Sequence, residues 1–178
     1  KFLKMQINPH FLFNALNNIY ALSVTNSEKT QEGISTLSLM LRYVLYDCEQ
    51  PAVPLQKELE YITNFMALFK LKSSEEFNIK FIEEVEDAEL MVPPMLFVPF
   101  IENAFKHSGI EKRGSSFVDI YLKSKDNIIE FSVENSLAPE PQVKDQRGGI
   151  GLLNVKKRLD ILYPQTHQLD IRKEDTFK

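Results

Sequence analysis

The sequence has a single cysteine, no long apolar run and no basic tract, and each of these absences excludes a class of protein. Cys48 stands alone, so an internal disulfide is excluded and a reducing compartment is expected. No stretch approaches the roughly 18 consecutive apolar residues of a membrane-spanning helix, and no signal peptide is visible. The net charge of −4 argues against nucleic-acid binding through a charged surface.

The composition is otherwise that of a folded protein. The 178 residues suffice for one domain or two small ones, and the 43% of hydrophobic residues argues against disorder. The chain begins without methionine and already within a helical pattern. We therefore expect a fragment of a longer protein, with any membrane segment upstream.

The stretch Gln6–Asn14 lies in an amphipathic helical pattern with a histidine on its polar side. At 100° per residue, one face collects the apolar side chains Met5, Leu12, Ala15, Leu16 and Ile19. His10 points to the opposite face, and Pro9 interrupts the helix beside it, at about 3 kcal/mol in a helix interior. An exposed, near-neutral imidazole beside a kink suits a nucleophile. The alternative is an ordinary surface histidine near a helix start.

A helical hairpin is predicted at the start of the chain, over residues 1–24 and 28–49, with Ser27 as a candidate N-cap. The second helix carries an apolar seam of coiled-coil type, formed by Ile34, Leu37, Leu41, Val44 and Cys48. Such a hairpin would leave apolar surface in water, so we predict a homodimeric four-helix bundle. The alternative is that both helices pack on the downstream domain.

Pro51 and Pro54 end the hairpin, so we predict a domain boundary near residue 52, with domains over 1–52 and 53–178. The second domain is predicted to contain helices over 55–69, 95–108 and 152–162, the second of them opened by Pro93 and Pro94. It is also predicted to contain a strand over 77–83, a β-hairpin over 117–134 and a last strand that begins at 169–172 and is truncated by the chain end. The expected fold is α+β, with the second domain an α/β sandwich on a mostly antiparallel mixed sheet.

The helix over 95–108 has two unlike faces. Asn103, Lys106 and His107 share the polar face, with Glu102 at its margin. Carboxamide and carboxylate oxygens suit a hard cation such as Mg²⁺, and a lysine neutralises phosphate charge. The alternative is a solvated helix face.

Gly148, Gly149 and Gly151 run directly into the helix over 152–162. Backbone N–H groups of a glycine-rich turn at a helix N-terminus can bind an anion, although such a turn is often only a turn. The polar, proline-containing stretch 135–147 before it is predicted to be a mobile lid. A dinucleotide-binding fold is disfavoured, because the glycines do not follow a strand at the required spacing.

Three stretches, in this order, carry a family resemblance. They read "QINPHFLFNALNNI" (Gln6–Ile19), "VPPMLFVPFIENAFKH" (Val92–His107) and "GGIGLLNVKKRL" (Gly148–Leu159). Together they resemble the LytS/YehU-type sensor histidine kinases, whose nucleotide-binding domain belongs to the GHKL (Bergerat-fold) ATPases. The resemblance spans nearly the whole chain.

The resemblance implies the cytoplasmic kinase core of a bacterial inner-membrane sensor of a two-component system. The chain would use ATP and Mg²⁺ to phosphorylate His10 and pass the phosphoryl group to an aspartate of a response regulator, by analogy of the LytTR type. It would act as a homodimer and bind no nucleic acid.

The resemblance also implies site residues. Asn103 would be the Mg²⁺ ligand, and Glu102 a further ligand or the proton acceptor. The residues near the phosphates would be Lys106, His107, Gly149, Gly151, Leu152, Asn154 and Arg158.

Two departures from the family pattern stand out. Related proteins read adenine with the aspartate of an Asp-x-Gly-x-Gly box, whereas this region lacks that aspartate and both glycines, so Glu134 or Asn135 is expected to accept the adenine hydrogen bond. Many histidine kinases carry an acidic residue directly after the phosphoacceptor, where this chain has Phe11. The proton acceptor is therefore open between Glu102, Asn14 and water.

The main rival hypothesis is a catalytically weak dimeric GHKL interaction module that acts as a scaffold or phosphatase. The altered adenine region favours this rival, and the presence of Asn103, Gly149 and Gly151 disfavours it. A third hypothesis is a GHKL hydrolase that releases phosphate to water, which the N-terminal helical hairpin disfavours.

Overall fold

The computed structural model describes residues 9–71, 76–111, 114–138, 150–172 and 176–177. The chain forms two compact units. Unit 1 spans residues 1–76 together with 88–95, and unit 2 spans 77–87 together with 96–178. The fold is α+β, as predicted, with helices in both units and a mixed sheet in unit 2.

The described part of unit 1 contains three long helices, α1 (Pro9–Thr25), α2 (Ser27–Leu45) and α3 (Leu55–Lys70). A short 3₁₀ helix, Asp47–Glu49, follows α2, so the second helix ends earlier than predicted. The N-cap of α2 is Asn26, because its side chain accepts a hydrogen bond from the N–H of Lys29 at 3.0 Å. The predicted cap, Ser27, is instead the first helical residue.

Helices α1 and α2 pack closely at Gly33. A Cβ atom on Gly33 would lie 2.9 Å from Cγ1 of Ile19 and 3.2 Å from Cδ1 of Leu71, so a larger residue would force these side chains to shift. The buried face of α2 consists of Gly33, Thr36, Leu37, Met40 and Tyr43. The predicted seam is therefore offset from the face that is buried within the chain, and Ile34 remains 53% exposed.

Residues 88–95 belong to unit 1 because they cover the start of α3. Two short strands, β1 (Val53–Pro54) and β3 (Met91–Val92), pair antiparallel there. The carbonyl oxygens of Leu90 and Ala88 accept hydrogen bonds from the first two N–H groups of α3, at 2.8 and 2.9 Å. Those N–H groups have no partner inside a helix, so the segment caps α3. The domain boundary predicted near residue 52 stays a prediction.

Unit 2 is built on a four-stranded sheet in the order β2-β4-β5-β6. The strands are β2 (Ile79–Val85), β4 (Val118–Lys125), β5 (Ile128–Ser136) and β6 (Thr176–Phe177). β2 runs parallel to β4 and the other two pairs are antiparallel, which makes the sheet mixed, as predicted. Asp126 and Asn127 join β4 to β5 with φ angles of 52° and 61°, values typical of a two-residue type I′ turn.

One face of this sheet is buried by helix α4 (Val98–His107). Val118, Ile120 and Leu122 of β4 are buried on that face and alternate with residues that point the other way. On β5, the ring of Phe131 lies 4.8 Å from the ring of Phe97 and 5.9 Å from that of Phe100, between ring centroids. A second helix, α5 (Ile150–Leu162), contacts α4.

Two further predicted element boundaries were wrong. The fourth helix begins at Val98, not at Met95, because Met95 has a φ of 57° and therefore cannot lie in a right-handed helix. The proline in the first turn is Pro99, rather than Pro93 or Pro94. Residues 169–172 form no strand, and β6 lies further along the chain, at Thr176–Phe177.

Across the described residues, no helix combines the length and the apolar character that crossing a bilayer requires.

Candidate functional site

His10 lies in the first turn of the described part of α1. Its side chain, and residues 1–8 before it, lie outside the described residues. The exposure of the imidazole and the kink at Pro9 therefore remain predictions.

Phe11, the residue after His10, packs inside unit 1. Its ring stacks on the ring of Phe65 of α3, with centroids 4.6 Å apart and planes 18° from parallel. Phe65 is itself buried. The position that carries an acidic residue in many histidine kinases is thus an aromatic anchor, which fixes the start of α1 against α3.

The amphipathic character of α4 is as the sequence indicated. Ile101, Ala104 and Phe105 are buried, whereas the polar residues are less covered. Asn103, Glu102 and His107 are half-buried and Lys106 is exposed. The four residues singled out on this helix therefore lie away from its buried stripe.

The two candidate adenine contacts, Glu134 and Asn135, lie on opposite faces of the sheet. Asn135 pairs across the strands with Val118, a residue of the buried face, while Glu134 pairs with Asp119 on the other face. Because successive strand residues alternate, Asn135 shares its face with Phe131, which packs against α4. Only Asn135 thus faces the helix that carries Asn103.

Asn135 is fully buried, and one of its two polar atoms lacks a hydrogen bond within the described structure. Its Nδ2 donates to the carbonyl oxygen of Ser136 at 2.5 Å. This contact fixes the orientation of the Asn135 carboxamide. The carbonyl oxygen of Ser136 can only accept a hydrogen bond, so the NH₂ group of Asn135 must face it. The remaining atom, Oδ1, is buried without a partner there. A buried acceptor of this kind is costly unless a ligand or water donates to it.

Hydrogen bonds fasten the end of β5 to the C-terminal end of α4. The hydroxyl of Ser136 donates to the carbonyl oxygen of Ser108 at 2.7 Å, and the N–H of Ala138 donates to that of His107 at 2.9 Å. Between these contacts Gly109 has a φ of 69°, and a Cβ atom there would lie 3.3 Å from Cα of Ala138. Asn135 is therefore held next to the helix end that bears His107, one turn beyond Asn103.

Ser136 was not singled out from the sequence, although it anchors this junction. A serine hydroxyl at a strand end is common, so no pattern distinguished it. Its position after a buried asparagine at the end of an alternating strand was the only available signal.

The glycine-rich stretch leads into α5 as predicted, although the helix begins at Ile150, so that Gly151 is its second residue. Gly148 and Gly149 lie outside the described residues, as do residues 139–147 of the predicted lid. The lid prediction was wrong for Asn135 and Ser136, which belong to β5. In α5, Leu152 and Arg158 are half-buried and Asn154 is exposed. Helix α5 contacts α4, the helix that carries Asn103.

Comparison with known proteins adds the decisive observation. The profile of the family described as "Histidine kinase" matches residues 1–77. The sensor protein LytS of Bacillus cereus is 30% identical over 185 residues, which cover 98% of this chain and 31% of LytS. The chain belongs to the histidine kinase family.

Two further relatives in this family agree. The sensor protein LytS of Bacillus subtilis is 31% identical and matches 98% of this chain. The sensor histidine kinase/phosphatase LytS of Staphylococcus aureus is 30% identical and matches 95%. This histidine kinase chain spans about a third of each relative, with 31% of their length covered.

Proposed function

We propose that this chain is the kinase core of a two-component sensor, which binds ATP with Mg²⁺, phosphorylates its own His10 and passes the phosphoryl group to an aspartate of a response regulator. The observation that carries the proposal is the junction between the end of β5 and α4. There a buried acceptor, Oδ1 of Asn135, lacks a partner within the described structure and lies next to the helix that bears Asn103 and His107.

Asn135 is our candidate for the residue that reads adenine. Its Nδ2 is occupied by the carbonyl oxygen of Ser136, so only Oδ1 is offered to a ligand. An acceptor suits the exocyclic amino group of adenine, whereas the carbonyl oxygen of guanine would be repelled. Glu134 is the weaker candidate, because it belongs to the opposite face of the sheet.

Asn103 is the proposed Mg²⁺ ligand, with Glu102 beside it as a further ligand or as the base. Mg²⁺ is usually held by one or two protein oxygens together with phosphate oxygens, and it would neutralise phosphate charge. The proposed phosphate contacts are Lys106, His107, Gly149, Gly151, Leu152, Asn154 and Arg158.

The main task of the chain in this reaction is to position the reacting groups. A ring nitrogen of neutral His10 attacks the γ-phosphorus of ATP, the bond to the β,γ-bridging oxygen breaks, and ADP leaves. The proton acceptor is Glu102, Asn14 or water. Phe11 is excluded from that role, because its side chain is apolar and stacks on Phe65.

A homodimer is proposed from the apolar surface of the hairpin. On α1, a stripe with helical spacing is exposed, and it consists of Phe13, Leu16, Tyr20 and Val24. On α2, Ile34 and Leu45 are 53% and 54% exposed and lie three turns apart. Two copies of the hairpin would bury these stripes in a four-helix bundle.

The remaining assignments follow the same proposal. Residues 1–52 would form the dimerisation and phosphoacceptor part, and 53–178 a Bergerat-type nucleotide-binding part. The whole would be the cytoplasmic portion of an inner-membrane sensor. A LytTR-type regulator is proposed as the partner only by analogy.

The test is incubation of the full chain with γ-labelled ATP and Mg²⁺, with His10→Gln as the matched variant. We expect acid-labile label on the wild type and none on His10→Gln. The kinase assignment fails if the label is acid-stable, absent, or unaffected by the substitution.

The second candidate function is dephosphorylation of the response regulator. One relative is named a histidine kinase/phosphatase, and the chain lacks the usual aspartate of the adenine box. Incubating the chain with a phosphorylated regulator, with and without ADP, tests this function. Loss of the regulator's label without gain of label on His10 would favour it over the kinase.

A further inference from the structure

Unit 1 contains a buried hydrogen-bonded group that the proposed function does not use. Glu58 of α3 is 0% exposed. Its Oε1 accepts hydrogen bonds from the hydroxyl of Tyr43 of α2 and, at 2.7 Å, from the backbone N–H of Met95. We call Tyr43, Glu58 and Met95 the Glu58 cluster. A fully buried glutamate is rare, and its desolvation costs several kcal/mol that the hydrogen bonds of the cluster must offset.

Tyr43 joins the cluster to the hairpin. Its side chain is buried on the inner face of α2. Burial, and then the nearby charge of Glu58, raise the pKa of Tyr43, so the phenol keeps its proton and remains a donor to the carboxylate. The position of α2 is thereby linked to that of the Glu58 side chain.

Met95 joins the cluster to the backbone that leads into α4. Its φ of 57° lies in the left-handed region, which costs a residue with a side chain about 1 to 2 kcal/mol. The hydrogen bond from its N–H to Glu58 and the burial of its own side chain, 4% exposed, hold it there. Helix α4 begins three residues later at Val98, so Met95 belongs to the short segment of chain that leads into that helix.

We propose that the Glu58 cluster couples α2 to the start of α4. A displacement of α2 would weaken the bond between Glu58 and the N–H of Met95, release the strained backbone of Met95, and change how α4 begins. The inference rests on the proposed function, in which α2 belongs to the phosphoacceptor hairpin and α4 carries Asn103. Glu58 and Tyr43 are positioning residues in this scheme, since neither is assigned a contact with nucleotide.

The experiment compares Glu58→Gln, Tyr43→Phe and the double variant in the full chain. Glu60→Gln and Tyr46→Phe are matched controls, because Glu60 and Tyr46 are exposed. Three quantities are measured for each variant: the labelling rate of His10 at saturating ATP, the Kd for ADP with Mg²⁺, and Tm. We expect Glu58→Gln to lower the rate about tenfold and to change Kd less than about twofold. Tyr43→Phe should lower the rate less, and the double variant no more than Glu58→Gln alone.

A rescue experiment distinguishes a coupling role of the Glu58 cluster from a role in fold stability alone. Glycine adopts the left-handed conformation without a steric penalty, so Met95→Gly should restore part of the rate in the Glu58→Gln background. The same substitution lowers Tm, because it removes a buried side chain. If the cluster only stabilised the fold, adding Met95→Gly would make the rate worse.

Two results would overturn the coupling role: a labelling rate unchanged by Glu58→Gln and Tyr43→Phe, or a loss of rate that follows Tm and deepens with Met95→Gly. Should Glu58→Gln fail to fold, Tyr43→Phe alone decides, because it removes only a hydroxyl. A wild-type chain without label on His10 would overturn the proposed function, and the coupling role with it. A labelled wild type with equally labelled variants overturns the coupling role alone.

Discussion

Phe11 and Asn135 are neutral residues in two regions where related kinases are expected to carry an acidic residue, and the surroundings of each explain its chemical type. The ring of Phe11 stacks on the buried Phe65, where a carboxylate would lose its hydration. Asn135 donates to a carbonyl oxygen at 2.5 Å, which a carboxylate could not do. The contacts of both residues therefore suit a neutral side chain better than a carboxylate.

Phe11→Glu should therefore weaken the protein rather than supply a catalytic base. We expect a loss of the ring contact and burial of a charge, which together cost about 2 to 4 kcal/mol, and no gain in the labelling rate of His10. Thermal unfolding and the labelling assay measure both effects. Ala21→Glu, at an exposed position of the same helix, is the control. A faster rate in Phe11→Glu would show that the position accepts a base after all.

Asn135→Leu should weaken ATP binding, because it removes the buried acceptor while keeping a similar volume. Loss of one neutral hydrogen bond corresponds to about 1 kcal/mol, or about fivefold in Kd. Titration with ATP and GTP should show that the wild type prefers ATP and that Asn135→Leu loses this preference. Glu134→Leu removes the rival acceptor on the opposite face of the sheet and is the matched comparison. If Glu134→Leu were the variant that lost affinity, the assignment of the two residues would be reversed.

At the scale of elements, α4 combines a buried stripe with the proposed metal ligand. Asn103→Ala should abolish Mg²⁺-dependent labelling and leave Tm and oligomeric state unchanged, because Asn103 lies off the buried stripe. Asn78→Ala, an exposed asparagine in unit 2, is the matched control. Labelling at the wild-type rate would remove Asn103 from the site.

The α1–α2 hairpin depends on Gly33. Alanine would gain about 1 kcal/mol of helix propensity, yet its Cβ would meet Cγ1 of Ile19 at 2.9 Å, and such overpacking costs about 1 to 3 kcal/mol. We expect Gly33→Ala to lower Tm and Ser38→Ala, at an exposed position of α2, to leave it unchanged or raise it. A higher Tm for Gly33→Ala would mean that the helices separate easily at this point.

The sequence predicted elements where periodicity was strong and missed details that depend on single backbone conformations. The helices of the hairpin, α3, α5 and the β4–β5 hairpin were predicted, because hydrophobic spacing and turn residues define them. The start of α4 was not, because the left-handed conformation of Met95 depends on tertiary contacts. Local sequence carries no record of such contacts.

The residues of the candidate site were also only partly predictable from the sequence. Asn103 and His107 were predicted from one helix face, which a sequence displays directly. Our proposal of Asn135 rather than Glu134 as the adenine contact depends on the register of β5 against β4, which fixes the face of each residue. The burial of Glu58 was unpredictable, since a charged residue in a first helical turn usually faces solvent.

At the scale of the whole molecule, we propose that dimerisation buries the apolar surface of the same hairpin that carries His10, the proposed phosphoacceptor. The exposed stripe on α1 includes Tyr20 at 76% and Val24 at 80% exposure, values that are unusual for a row of large apolar residues on one helix. A second copy of the hairpin would cover this stripe and the one on α2.

Tyr20→Glu and Ile34→Glu should therefore dissociate the dimer without unfolding the chain. Each substitution places a charge in the proposed interface but leaves the buried cores of unit 1 and unit 2 intact, so we expect Tm to change little. The dimer Kd should rise at least about a hundredfold, which corresponds to about 2.7 kcal/mol. Sedimentation velocity across a concentration series measures this shift. Ile128→Glu, at a 65% exposed position of unit 2, is the control for adding a charge at an exposed apolar residue. In a monomer, a charge added to this exposed stripe would not change the sedimentation coefficient. If both variants sediment like the wild type, the two copies associate through another surface or do not associate.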